Sequence, residues 1–122
     1  MKRVRLLVDT DIFIDYFNLG LFREVFTGSA EVYCSVVTKK ELLGKPGLKD
    51  KERQEILRVL KRLRLVSLNQ KITEKYAELR RCHPHREKED CLIAATAICK
   101  DLPLLTRNLK HYREFDEIRF YS

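Results

Sequence analysis

Short unbroken runs of apolar residues alternate along this chain with stretches where apolar residues recur every third or fourth position. Residues 4–8 form a β-branched and leucine run that stops at Asp9, which predicts a buried first strand. Asp11 is placed to cap a helix carrying Ile12, Phe13, Tyr16 and Phe17. A second short helix is expected after Gly20, with Leu21, Phe22, Val25 and Phe26 on one face. Residues 31–37 predict the second strand. Thr38-Lys39-Lys40-Glu41 has capping-box spacing and opens a helix through Leu43, which Gly44, Pro46 and Gly47 end. Over residues 49–64, Ile56, Leu57, Leu60 and Leu63 make one stripe of an amphipathic helix. Residues 65–68 predict a third strand and residues 72–81 a further helix; His83-Pro84-His85 is a break. Residues 90–100 are apolar nearly all round, as a central buried helix must be. Leu104-Leu105-Thr106 is the expected fourth strand and residues 118–121 the fifth.

Strands that alternate with helices, and that read as continuous apolar runs, imply an α/β fold. The expected architecture has three α/β/α layers around a mainly parallel five-stranded sheet covered on both faces. The chain's 122 residues make one domain, 1–122, with no internal repeat. Hydrophobic residues at 44% supply a core without disulfides, and charged residues at 35% are spread without a polar tract, so no linker or disordered tail is expected. Cys34, Cys91 and Cys99 lie in apolar runs and read as small buried side chains; with Cys82 they make no C-x-x-C pair. The first residues carry charge but too short an apolar stretch for a signal peptide, and no run has transmembrane length. These features predict a cytoplasmic protein with no membrane partner.

A net charge of +7 favours a polyanionic partner, because Lys and Arg release counterions from nucleic acid. The candidate chemistry lies in the acids. Ligands of parallel sheets bind beyond the carboxyl ends of the strands. Asp9 follows the first strand, Glu41 sits on the helix after the second, Asp90 begins the buried helix, and Thr106 and Asn108 end the fourth strand. At about 5 Å and an effective dielectric near 20, each carboxylate pair costs roughly 3 kcal/mol. A shared proton or a hard divalent cation must neutralise the cluster, and oxygen ligands suit Mg²⁺ or Mn²⁺. Such ions activate water against a phosphodiester. On this reading Asp9→Asn stabilises the metal-free protein by relieving repulsion.

Each residue also has a plainer role. Asp9 ends a strand as a turn residue, Glu41 completes a capping box, and Asp90 and Asn108 cap helices. Asp11 and Asp15 read as capping and solvating the first helix. Cys82, His83 and His85 lack a fourth zinc ligand at a usual spacing and read as a basic loop touching RNA. His111 reads as a surface helix residue. Arg58, Lys61, Arg62 and Arg64 read as a solvated helix face within reach of RNA. Tyr16, Phe22 and Phe26 on the early helices offer an apolar patch for a dimer.

Four segments together resemble the PIN domain family, in particular the short VapC-like toxin ribonucleases of toxin–antitoxin pairs. They are Leu7-Val8-Asp9-Thr10-Asp11-Ile12-Phe13-Ile14-Asp15, Ser35-Val36-Val37-Thr38-Lys39-Lys40-Glu41-Leu42-Leu43-Gly44, Asp90-Cys91-Leu92-Ile93-Ala94-Ala95-Thr96-Ala97, and Leu104-Leu105-Thr106-Arg107-Asn108-Leu109-Lys110-His111-Tyr112. The resemblance implies metal-ligand roles for Asp9, Glu41 and Asp90, with Thr10 and Thr106 as polar helpers. It implies Mg²⁺ or Mn²⁺, an RNA substrate, a homodimer, and an antitoxin that blocks the cleft. Asn108 stands where many relatives have a fourth acid, and Asp116 is the nearest substitute in sequence. Three other readings compete. A PIN-like module binds RNA without cutting it. Asp9-Thr10-Asp11 also fits a haloacid-dehalogenase-type phosphatase, with Asp9 as nucleophile, although no later Asp pair follows a strand. A response-regulator receiver needs an Asp after the third strand, where this chain has Asn69 and Gln70.

Overall fold

A computed structural model describes residues 3–121; Met1, Lys2 and Ser122, and the leader reading as far as it concerns Met1 and Lys2, lie outside the described residues. Four strands, β1 (Arg5–Val8), β2 (Glu31–Ser35), β3 (Arg64–Val66) and β4 (Leu104–Leu105), form one sheet in the order β3-β2-β1-β4. All three pairings are parallel, with Leu7 opposite both Tyr33 and Leu104, and Cys34 opposite Leu65. Among the described residues there are seven helices: α1 (Thr10–Leu19), α2 (Arg23–Thr27), α3 (Val36–Leu43), α4 (Asp50–Lys61), α5 (Gln70–Cys82), α6 (Lys88–Cys99) and α7 (Leu109–Tyr112). None of them is long and apolar enough to cross a membrane.

Alternation along β1 divides the core into two. Leu7 points into one cluster with Ile72, Leu79, Ile93, Ala94, Tyr112 and Phe115. Leu6 and Val8 point into another with Ile12, Phe13, Val32, Leu42, Ile56 and Leu60. A strand buried on both faces must be apolar at every position, so its sequence reads as a run rather than an alternation. The three layers are α5 and α6 on one face, the sheet, and α1, α3 and α4 on the other. In α6, six residues between Cys91 and Ala97 are buried, and its three alanines allow close packing.

The expected fifth strand is replaced by a single parallel bridge, Leu104 to Phe120. The reason lies in β4. With only two residues in that strand, the sheet edge offers Leu104 alone, whose N–H donates to Arg119 O at 2.8 Å and whose carbonyl accepts from Tyr121 N at 2.9 Å. The second strand stops at Ser35, before its expected end, because the Ser35 hydroxyl accepts from Val37 N at 3.1 Å and starts α3 there. Glu41 is therefore in the last turn of α3, not in a capping box. Asp9, not Asp11, caps α1, accepting from Thr10 N at 2.8 Å. Glu87 holds the cap position of α6, so Asp90 lies in its first turn. The proposed dimer patch is consumed internally: Phe26 is buried, stacked on Tyr16 at 4.4 Å and packed against Phe13. Leu19 and Leu21, at the turn between α1 and α2, are exposed instead.

Candidate active site

Asp9 follows β1 and is only 6% exposed. Besides the cap bond through Oδ1, its Oδ2 accepts from the Thr106 hydroxyl at 2.8 Å and the Tyr112 hydroxyl at 3.1 Å. The same Tyr112 hydroxyl lies 3.2 Å from Asp90 Oδ1. One phenol thus stands between two carboxylates from different elements, with a single proton to give. Burial pushes the Tyr112 phenol far up, and the charges of Asp9 and Asp90 push it further, so it stays protonated. His111 Nδ1 faces Asp90 Oδ2 at 3.3 Å, so this histidine belongs to the acid cluster's edge rather than to open surface.

Glu41 joins through Thr10. The Thr10 hydroxyl donates to Glu41 Oε1 at 2.7 Å and lies 2.9 Å from the hydroxyl of the fully buried Thr38. Thr10 therefore ties the end of β1 to α3 with both its backbone and its side chain. Alongside Glu41, a cavity of about 560 Å³ opens, lined by Ile14, Phe17, Leu42 and Pro46 among others.

Asn108 takes a different place. Its Nδ2 donates to Asp11 Oδ2 at 3.1 Å, and the Arg107 backbone N–H donates to the same oxygen at 3.1 Å. Asp11 Oδ1 is buried without a hydrogen-bond partner. The Arg107 guanidinium pairs with the buried Asp15 at 2.8 Å. Asp11 and Asp15 therefore form a second acidic group beside the first, not the solvated helix face that their sequence positions suggested. Asp116 is exposed and, among the described residues, hydrogen-bonds none of these groups. In the histidine loop, His85 pairs with Glu114 at 3.0 Å and His83 packs edge-on against Phe115.

The structure thus joins Asp9 and Asp90 through Tyr112, sets Thr106 directly on Asp9, adds Glu41 through Thr10, and attaches Asn108 through Asp11. Sequence reasoning missed Tyr112, Thr38 and Arg107. For Tyr112 a weak signal existed, since a buried tyrosine must find a partner for its hydroxyl; nothing in the spacing said which partner.

Three of the carboxyls share their electrostatics. Burial, then the Asp9 charge, raises Asp11 to about 6. Burial raises Glu41, against the Thr10 hydrogen bond, with Asp9 and Glu89 adding to the rise. Burial raises Asp90, against the His111 charge, with Asp9 again adding. A carboxyl raised on folding takes up a proton more readily folded than unfolded. Its stabilisation is present below the unfolded value and lost as pH rises through the folded one. The melting temperature in chelator is therefore expected to fall as pH rises from about 4 to about 7, and a divalent cation should flatten that fall. A scan that rises with pH in chelator would contradict this electrostatic picture. Among the described residues, no three acid, histidine or cysteine side chains stand ready as a closed metal cage. The donors present are carboxylate oxygens, two of them buried without a hydrogen bond, Asp11 Oδ1 and Asp15 Oδ2, the latter ion-paired with Arg107; such a set suits a hard cation that keeps several waters of its own.

A family model for the PIN domain matches residues 6–118. Ribonuclease VapC1 of Methanocaldococcus jannaschii is 30% identical over 118 residues, covering 93% of this chain and 82% of that protein. Ribonuclease VapC10 of Mycobacterium tuberculosis is 31% identical over 122 residues, covering 93% of this chain and 90% of that one. VapBC2 from Rickettsia felis, solved bound to a DNA fragment from its promoter, superposes with a TM-score of 0.84 at 22% identity, over 97% of this chain and 98% of that one. A toxin–antitoxin complex from Klebsiella pneumoniae gives 0.75 at 27% identity, over 93% and 94%. With its four-stranded parallel sheet and its acids gathered beyond the strand ends, the chain belongs to the PIN domain family, in its VapC-like branch.

Proposed function

We propose that this protein is the toxin of a toxin–antitoxin pair, an endoribonuclease that hydrolyses RNA phosphodiester bonds with Mg²⁺ or Mn²⁺. The observation that carries the reading is Asp9 and Asp90 held together by Tyr112 at the strand ends, with Glu41 tied in by Thr10. Asp9, Asp90 and Glu41 are the residues that would hold the cation. Such an ion, when bound, supplies an activated water and neutralises charge on the leaving oxygen. The chain's own groups do the orienting. Thr106 and the Thr10 backbone fix the Asp9 carboxylate, and the Thr10 hydroxyl fixes Glu41. Asn108 and the Arg107 backbone hold Asp11 beside them.

The two relatives above are named ribonucleases, and the Klebsiella structure is a toxin–antitoxin complex. These support RNA as substrate and an antitoxin as partner, with the apolar cavity beside Glu41 as the place where the antitoxin blocks the cleft. The reading includes a cytoplasmic setting, in keeping with four free thiols, and a homodimer using the exposed Leu19 and Leu21.

The test is incubation of RNA with the purified protein in Mg²⁺ or Mn²⁺ and in chelator. Cleavage is expected with the ion, none in chelator, and none from a folded Asp90→Asn variant. RNA affinity is also expected to drop steeply with salt, and a flat titration would remove the basic surface from the account. Asn108, a neutral side chain at the edge of the acid group, favours one second reading, an RNA-binding module without catalysis. Binding without cutting under every divalent ion would establish it.

A further inference from the structure

Five acids of this chain lie at one end of the sheet, and a group of arginines lies at the other. Asp9, Asp11, Asp15, Glu41 and Asp90 gather past the carboxyl ends of the strands, where a polyanion is repelled. At the opposite end of the sheet, a cavity of about 460 Å³ is lined by Arg3, Arg62, Arg64, Glu31, Gly28 and Ser29 among others. Glu31 begins β2 and Arg64 begins β3, so the cavity sits at the strand starts.

Within the cavity the one acid is already engaged. Glu31 Oε1 pairs with Arg64 Nε at 2.6 Å and accepts from the Tyr33 hydroxyl at 2.6 Å. Arg5 in turn donates to that hydroxyl at 3.0 Å and lies 5.1 Å over the Tyr33 ring. The Glu31 carboxyl is held below its usual range by the Tyr33 hydrogen bond first, with Arg64, Arg5 and Arg3 adding to it. Several guanidinium groups thus act on a single carboxylate. Among the described residues, exposed Arg3 and Arg62 take part in no ion pair. At Gly28 the wall admits no larger residue without a shift, since a Cβ would lie 2.4 Å from the Glu24 carbonyl oxygen.

We propose that this pocket anchors the phosphodiester backbone of RNA, through Arg3 and Arg62, at a distance from the acids that cut it. The inference rests on the ribonuclease reading for its substrate. A concave surface with surplus guanidinium groups and its only acid satisfied matches a chain of phosphates in shape and charge. From Arg5 to Asp9 the strand rises about 13 Å, so an RNA that touches both ends must extend several nucleotides around the surface. Long RNA gains from the anchor, and a trinucleotide does not.

The experiment compares Arg3→Gln/Arg62→Gln with wild type and with a charge-matched control on exposed positions elsewhere, Lys71→Gln/Lys100→Gln. Binding of a long single-stranded RNA is measured in chelator across a salt series. Loss of two phosphate contacts is expected to make the logarithmic salt slope shallower by about 1.4 and the low-salt affinity about tenfold weaker. The Arg62→Lys variant, which keeps the charge, should retain most of the slope. A double variant with the wild-type slope, or a control that loses as much, overturns the anchor. Unchanged RNA binding together with lost affinity for the purified antitoxin also overturns it, in favour of an acidic protein partner. Failure of the ribonuclease reading is separate: a wild type that cuts no RNA in Mg²⁺ or Mn²⁺, yet shows the slope difference, leaves the anchor standing without the catalysis.

Discussion

Asp9→Asn is expected to lower RNA cleavage by about a thousandfold while the chain stays folded. The amide keeps the size of the carboxylate but loses its charge, and with it a bond to the divalent cation. The stabilisation that such an ion gives a developing oxyanion is several kcal/mol, and about 4 kcal/mol corresponds to that factor. In chelator the same change should raise the melting temperature. Tyr112 now divides one proton between Asp9 and Asp90. An amide at position 9 can donate to the Tyr112 oxygen, which leaves that proton wholly for Asp90 and removes one negative charge from the cluster. A gain of about 1 kcal/mol, about 4 °C for a chain of this size, is the expected result. Calorimetry decides the matter: a lower melting temperature would make Asp9 chiefly a helix cap.

Tyr112→Phe should act in the opposite direction. The side chain is fully buried, so the phenyl ring keeps its packing and only the hydroxyl is lost. Asp9 and Asp90 then face each other with no proton between them. Hydrogen bonds to charged groups contribute about 1.5–3 kcal/mol, and removal of this shared one should cost about 2 kcal/mol in chelator. Mg²⁺ is expected to restore most of that loss, because it neutralises the same pair. Cleavage should change by less than tenfold, since Tyr112 orients the ligands rather than reacting. Equal melting temperatures for variant and wild type in chelator would show that the bridge contributes nothing, and a loss that Mg²⁺ leaves untouched would reduce it to core packing.

The residues that the site requires were legible at the places where chain pattern and chemistry coincide. Asp9 follows an apolar strand, and Asp90 lies in the first turn of a helix whose middle is buried. Polar groups at such boundaries stand out because burial elsewhere excludes them. What was not legible were the residues that act through another side chain. Tyr112 and Arg107 stood out only as members of the family-like segment, and Asp15 read as a solvated acid. Their roles come from partners as far as 103 positions away in the chain, and spacing carries no record of such pairs.

Element boundaries divide the same way. The parallel three-layer arrangement follows from short continuous apolar runs and stripes of period 3.6, which are properties of the local sequence. The end of β2 is different. Val36 and Val37 favour a strand, yet the Ser35 hydroxyl caps a helix across them. The last segment is apolar enough for a strand, yet pairs at one residue only, because its neighbour β4 is that short.

By itself, the amino-acid order determined which stretches are buried, that they form helices and parallel strands, and which acids end them, since hydrophobic period and helix caps are local matters. Only the tertiary structure decided how those acids are wired. One tyrosine proton lies between two carboxylates, a second acid pair leans on Arg107, and three arginines line a cavity at the far end of the sheet. Charges act through space over several ångströms, whatever their separation along the chain, and that distance exists only once the chain has folded.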